Sequence, residues 1–145
     1  MRQLLSSIFL FIASAFVAAG QTVVTGATVD TAGFSDVLIK CKLGAITATG
    51  TATLKAAQGN AADGSDKADI EGSAVVATDA DGNKFLCIEI HRPQERYITP
   101  ILTRATANVV VEGLEVLLSN PSHVPVVQTS VADSVALNGT AEGTA

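Results

Sequence analysis

Residues 84–106 read KFLCIEIHRPQERYITPILTRAT, and this stretch decides the fold of the chain. Its first half alternates between two faces, which is typical of a half-buried strand. One face carries Leu86, Ile88 and Ile90, and the other carries Phe85, Cys87, Glu89 and His91. Pro93 has no N–H to donate, so it stops strand pairing, and a charged turn over residues 92–96 follows. The pattern resumes over residues 97–104, where Pro100 predicts a strand at a sheet edge or a bulge.

The flanking segments continue the extended pattern. Residues 34–43, FSDVLIKCKL, alternate cleanly and predict a strand that ends at Gly44. Residues 46–57 form another extended run, with a bend at Gly50. Residues 108–118 predict a strand with a bulge at Gly113, because strict alternation would place Glu112 and Glu115 on opposite faces.

Turn residues separate these runs. Residues 58–73 are the most polar stretch and predict a surface loop with at most one short helical turn. After a short strand at 74–78, residues 79–83 (DADGN) predict a hairpin, since Asp-Gly between apolar runs is a strong hairpin signal. The same residues resemble the start of a calcium loop. That pattern fails, because Lys84 stands where the loop needs Gly and Ile90 where it needs Glu.

The two ends of the chain differ from its middle. Residues 1–20 are apolar after Arg2 and end in small residues, so they fit either a secretory signal peptide or a retained N-terminal arm. The run is short and interrupted for a membrane span. Residues 21–118 are assigned to the folded domain. Residues 119–145 are assigned to an extended C-terminal arm that docks on neighbours or stays mobile. Asn138 begins a glycosylation-type triplet that we interpret as a chance match.

The composition of the chain limits which fold class and which kinds of partner are expected. The 145 residues are 48% hydrophobic but only 4% aromatic, and the aliphatic content is rich in β-branched residues. Several short extended runs, with no long amphipathic helix after residue 20, predict an all-β protein. The best expectation is a β-sandwich, jelly-roll-like. A formal net charge of −5 with no run of Lys or Arg argues against nucleic acid as a partner. Charged residues make up 16% of the chain, so partners are expected to cover part of its surface.

The candidate catalytic face consists of Cys87, Glu89 and His91 on one side of a strand. Side chains that follow each other on one face lie roughly 6.6 Å apart. Thiol–imidazole catalysis needs a hydrogen bond, so this spacing argues against it. We therefore expect no enzyme activity, no metal and no cofactor.

The candidate partner-binding residues are Arg92, Glu95, Arg96 and Tyr97. Arg and Tyr are enriched at binding hot spots, which favours a docking site at this turn. The alternative is a solvated turn in which an Arg–Glu pair contributes little.

Two cysteines, Cys41 and Cys87, lie within strand-like runs. They form a disulfide if their strands are neighbours, or they are two separate thiols; the sequence leaves both open.

The order of several segments resembles the head decoration (capsid cement) proteins of tailed bacteriophages. The segments are VDTAGF (29–34), GAIT (44–47), the loop 58–73, EIHRPQERYITP (89–100) and VPV (124–126). The resemblance implies a non-enzymatic virion protein on the exterior of the capsid. It would bind the major capsid protein, as a homo-oligomer (dimer or trimer), and reinforce the shell against the pressure of packaged DNA.

One alternative remains at this level. The chain could be a secreted or cell-envelope β-domain that binds a carbohydrate or another protein. A processed N-terminus and a Cys41–Cys87 disulfide would favour that alternative.

Overall fold

The computed structural model describes residues 4–135, which fold into two antiparallel β-sheets packed face to face. The predicted all-β sandwich is confirmed. The strands are β1 (Ile8–Ser14), β2 (Val17–Gly20), β3 (Val24–Thr25), β4 (Val29–Asp30), β5 (Phe34–Ile46), β6 (Thr51–Gly59), β7 (Ala68–Asp69), β8 (Val75–Ala77), β9 (Phe85–His91), β10 (Tyr97–Ala105) and β11 (Val109–Pro121). Two 3-10 turns, Leu4–Ser6 and Asp79–Asp81, complete the regular structure of these residues. Within residues 4–135 there is no helix of the length and apolarity needed to cross a membrane.

The strand order can be written simply when two short strands that pair with the same neighbour are counted as one. The first sheet runs β1-β11-β5-β9, with β2 also paired to β11. The second runs β3-β10-β6-β7, with β4 also on β10 and β8 also on β6. If β1–β2, β3–β4 and β7–β8 are each counted as one strand position, the chain order across the two sheets becomes 1-8-3-6 and 2-7-4-5.

The core lies between the sheets and is built almost entirely from aliphatic side chains. Strand β5 behaves as its alternation predicts, with Val37, Ile39, Cys41 and Leu43 buried. Gly44, however, does not end this strand, which continues to Ile46. A Cβ at Gly44 would lie only 2.8 Å from Val110 Cγ1, so the missing side chain lets β11 approach closely. The predicted bulge near Gly113 is confirmed by the shifts in register between β11 and β5.

The prediction that Pro100 marks an edge or a bulge is confirmed in its second form. Strand β10 has neighbours on both sides, but its register shifts by one residue across Pro100, since Ile98 pairs with Val29 and Ile101 pairs with Thr25. Strand β6 pairs with it from Tyr97 to Ala105, and β3 and β4 pair with its other side. Pro100 lies opposite the interruption between β3 and β4, where its carbonyl accepts a hydrogen bond from Gly26 N–H at 2.8 Å. No partner there requires the N–H that proline lacks.

The predicted hairpin at residues 79–83 is wrong. This segment forms the 3-10 turn Asp79–Asp81 and carries the chain from β8 in one sheet to β9 in the other. A two-residue type I′ hairpin on Asp81-Gly82 needs positive φ at both of these residues, yet Gly82 has φ −55°. The carboxylate of Asp81 instead accepts a hydrogen bond from Thr78 N–H at 3.0 Å, which stabilises the 3-10 turn.

The polar stretch 58–73 contains no helical turn. It begins with the end of β6, and Ala68–Asp69 returns as the short strand β7 beside β6. The Asp66 carboxylate organises the loop by accepting hydrogen bonds from Asn60 N–H and Ala61 N–H at 2.9 and 3.0 Å. These bonds lower the pKa of Asp66.

Both ends of the described chain contact the sandwich. Residues 8–20, from the apolar N-terminal segment, are β1 and β2, and they pair with β11. Beyond Pro121, residues 122–135 have no regular structure but return to the N-terminal side, where Val126 N–H donates to Ser6 C=O at 3.0 Å. Asn138 and its triplet lie outside the described residues.

Candidate functional site

The predicted docking turn, residues 92–96 between β9 and β10, lies beside the turn that joins β4 to β5. Backbone hydrogen bonds hold the two turns together. Arg92 N–H donates to Ser35 C=O at 2.7 Å, and Thr31 N–H donates to Arg96 C=O at 3.0 Å. The Thr31 hydroxyl donates to the same carbonyl at 2.7 Å. The docking turn is therefore fixed at both of its ends.

Arg96 is engaged within the chain. Its guanidinium donates two parallel hydrogen bonds to Asp30, at 2.8 Å from Nε and 2.7 Å from Nη2. It also lies 5.2 Å from the ring centre of Tyr97. The hydrogen bond from Arg96 holds the pKa of Asp30 below its usual value, and Asp30 raises the pKa of Arg96 in return. This bidentate geometry is the strong form of an ion pair, so Arg96 orients the turn.

The side chains of Glu95 and Arg92, two other residues of the turn, differ in whether they are hydrogen-bonded within the chain. Glu95 accepts a hydrogen bond from the Asn60 side chain at 3.3 Å. Arg92 is exposed, has φ 51°, and its side chain makes no hydrogen bond or ion pair within residues 4–135. The two turns together line an open groove of about 530 Å³. Arg92 is thus the guanidinium of this turn that remains available to a partner.

A second groove of about 340 Å³ lies at the same end, between the β4–β5 turn and residues 121–127. Phe9 forms part of its wall, and its ring centre lies 6.1 Å from that of Phe34. Ser122 N–H donates to Gly33 C=O at 2.7 Å, which fastens the start of the C-terminal segment to the turn. Three separate parts of the chain therefore meet at this end of the sandwich.

The candidate catalytic face is exposed along β9, as its alternation predicts. His91 Nδ1 is hydrogen-bonded to Asp36 on the neighbouring strand β5, a partner that the sequence analysis missed. Cys87 lies opposite Lys40 and Glu89 lies opposite Leu38. Among residues 4–135 no group of three or more His, Cys, Asp or Glu side chains could hold a metal ion.

The two cysteines lie on neighbouring strands but on opposite faces. Cys41 is buried opposite Leu86, whereas Cys87 is exposed opposite Lys40, and both thiols are free. Burial raises the pKa of Cys41 to about 12, so this thiol stays protonated and unreactive.

Sequence reasoning did not single out Arg104, which is only 3% exposed. Its guanidinium donates to the carbonyls of Thr22, Ala18 and Val109 at 2.9, 2.7 and 2.8 Å, and to the Thr22 hydroxyl at 2.8 Å. A signal was present, because Arg104 follows Ile98, Pro100 and Leu102 on the inward face of β10.

The chain matches no protein-family model, and no curated protein matches it.

Proposed function

We propose that the chain is a non-enzymatic structural protein that binds the outer surface of a viral capsid shell and stabilises it. The observation that carries the proposal is the docking turn, residues 92–96, which is held in place before any partner binds. Arg96 and Thr31 hold the docking turn in place, while the Arg92 side chain has no partner within residues 4–135. A surface ordered in advance loses little conformational entropy on binding, and Arg is common at hot spots.

Exposed apolar side chains support a protein partner. Val127 is 80% exposed, Phe16 64% and Ile12 57%. Large apolar side chains in solvent are expected where another protein covers them. Together with the low content of charged residues, they fit a chain whose surface is completed by assembly.

The finer form of the fold proposal is a jelly roll. The strand order 1-8-3-6 and 2-7-4-5, counted with the interrupted edges joined, supports two interlocked Greek keys. Jelly rolls are used both in viral capsids and in lectins, so the fold alone does not separate the two functions. The resemblance to head decoration proteins favours the capsid.

The test uses capsid shells that lack the protein. We expect the added chain to cosediment with them at a copy number that matches the lattice, and to raise the temperature at which they break. Arg92→Glu should weaken binding at least about tenfold, because it reverses the free charge of the turn. Lys42→Glu is the matched control, since it makes the same reversal of charge at an exposed position that lies far along β5 from this turn.

The possible outcomes test the capsid role and the location of the docking surface separately. Absence of stoichiometric binding and of any gain in shell stability would contradict the capsid role. Full binding by Arg92→Glu would leave that role standing and move the docking surface elsewhere.

A secreted or envelope binding domain is the second candidate, favoured by the signal-like composition of residues 1–20. The disulfide that would have supported it is absent, because Cys41 and Cys87 lie on opposite faces.

A further inference from the structure

The lateral edges of the two sheets are protected to very different degrees. Unpaired edge strands invite pairing with another chain, so proteins usually cover, shorten or charge them. At the edge of β1, the side-chain amide of Gln128 accepts a hydrogen bond from Leu10 N–H at 3.1 Å and donates to Ile8 C=O. A peptide group of a neighbouring strand would satisfy the same two groups, so Gln128 acts as a cap.

The edges of the second sheet are short. Strands β3 and β4 have two residues each, and the link between them is held by Gly26 N–H on Pro100 C=O and Ala27 N–H on Ala13 C=O. On the opposite edge, β7 and β8 have two and three residues. The Asp69 carboxylate pairs with Lys55 at 2.7 Å, which adds charge to that edge.

Strand β9 is different, because it presents an open edge along seven residues. At its ends Lys84 C=O accepts from Leu43 N–H, and Arg92 N–H donates to Ser35 C=O. The even-numbered residues therefore face β5, and the odd-numbered residues direct their N–H and C=O groups away from it. Within residues 4–135 these outward groups have no hydrogen-bond partner. They belong to Phe85, Cys87, Glu89 and His91.

The space beside this edge can receive a strand. A groove of about 430 Å³ runs between β9 and residues 70–75 of the second sheet. Ile70, Val75 and Ile90 line it and are only partly buried. An added strand would place its inward side chains against these apolar groups.

We infer that the β9 edge binds the β9 edge of a second copy of this chain, in an antiparallel pair about a two-fold axis. Charge selects the register. A pair centred on Ile88 places Cys87 opposite Glu89 and Phe85 opposite His91, and it uses every outward residue of both strands. A pair centred on Glu89 would oppose two carboxylates, which is unfavourable. A pair centred on Cys87 would leave His91 without an opposite strand residue.

The dimer joins two four-position sheets into one continuous sheet. It does not depend on the capsid proposal, since it concerns only how two copies meet. Because the interface is the same patch on both subunits, a single substitution acts twice in the dimer. That property makes the charge test below sensitive.

The experiment measures the monomer–dimer equilibrium of the full chain by sedimentation, with a reducing agent present to prevent thiol cross-links. Cys87→Glu places a carboxylate opposite Glu89 twice, and it should raise the dissociation constant at least about tenfold. Cys87→Lys places an ammonium there and should leave the constant equal to that of the wild type or lower.

The two variants Cys87→Glu and Cys87→Lys also distinguish an effect on association from an effect on folding. Within one copy, position 87 lies opposite Lys40. Cys87→Glu is therefore favourable for the isolated monomer, and Cys87→Lys is unfavourable. A loss of dimer in Cys87→Glu without a loss of thermal stability would support the inference.

Two results would overturn it. One is a wild-type chain that stays monomeric at its highest soluble concentration, which would leave the edge to a different protein. The other is a dimer whose dissociation constant is the same in both variants, which would place the contact elsewhere.

Discussion

Arg104 is a buried cation in a core made almost entirely of aliphatic side chains. Among the described residues it faces no carboxylate, and its donors are satisfied by carbonyl groups and one hydroxyl. These acceptors belong to β2, to the segment directly after it and to the first residue of β11. A single side chain thus fastens the N-terminal part of the chain to the end of the sandwich.

We predict that Arg104→Met destabilises the fold by about 2–4 kcal/mol. Methionine fills similar length but leaves the carbonyls of Ala18, Thr22 and Val109 without their donors. The free energy of unfolding in urea measures the effect. Arg92→Met, at an exposed position, is the control and should change it by less than about 0.5 kcal/mol. A loss for Arg104→Met no larger than that of the control would contradict the role given to the buried guanidinium.

The two engaged arginines differ in how far the sequence could reveal them. The inward position of Arg104 follows from simple alternation along β10. The partner of Arg96 does not, because Asp30 lies 66 residues away and pairs only after β4 docks on β10. Long-range ion pairs of this kind depend on the strand order, which local patterns do not contain.

Among the elements, strands with clean alternation were predicted best. The faces of β5 and β9 agree with the structure because one side of each is buried and the other is solvated. The misassignment at residues 79–83 has a physical cause. Turn type depends on which strand lies alongside, and the chain crosses between sheets where a hairpin was expected.

The cap on β1 makes a testable contribution to the stability of that element. We expect Gln128→Ala to reduce the hydrogen-exchange protection of Leu10 N–H about tenfold. The substitution removes the Gln128 side-chain oxygen that accepts the hydrogen bond from this N–H. Amide exchange followed by NMR measures this directly. Gln94→Ala, at an exposed turn position, should leave Leu10 unchanged. Equal protection in Gln128→Ala and the wild type would show that the cap is not what protects the edge.

At the scale of the whole molecule, the signal-like N-terminal segment contributes strands β1 and β2 to the sandwich. Strands β1 and β2 cover one side of β11, and the core contains Ala13 together with the partly buried Phe9, Phe11 and Val17. Their composition is apolar both in a signal peptide and in an edge strand of a sandwich. Composition alone therefore could not distinguish the two.

We predict that a chain starting at Gln21 loses at least about 5 kcal/mol of stability, since it gives up this apolar burial and opens the long edge of β11. For a domain of this size, thermal unfolding should shift downward by about 15 °C or more. Calorimetry of the shortened and full chains checks this. A shortened chain that unfolds at the temperature of the full chain would show that residues 1–20 are dispensable for the fold.

The sequence by itself determined the all-β class, the faces of β5 and β9, the bulge near Gly113 and the charged turn at residues 92–96. Each of these follows from local alternation or turn chemistry, which act over a few residues. Only the tertiary structure decided that the N-terminal segment joins the sandwich and that the cysteines face apart. It also decided that Arg96 is paired with Asp30 while the Arg92 side chain has no partner in the described part of the chain. It also decided that β9 is left open. These features depend on strand order, because contacts between distant segments arise only when the sheets assemble.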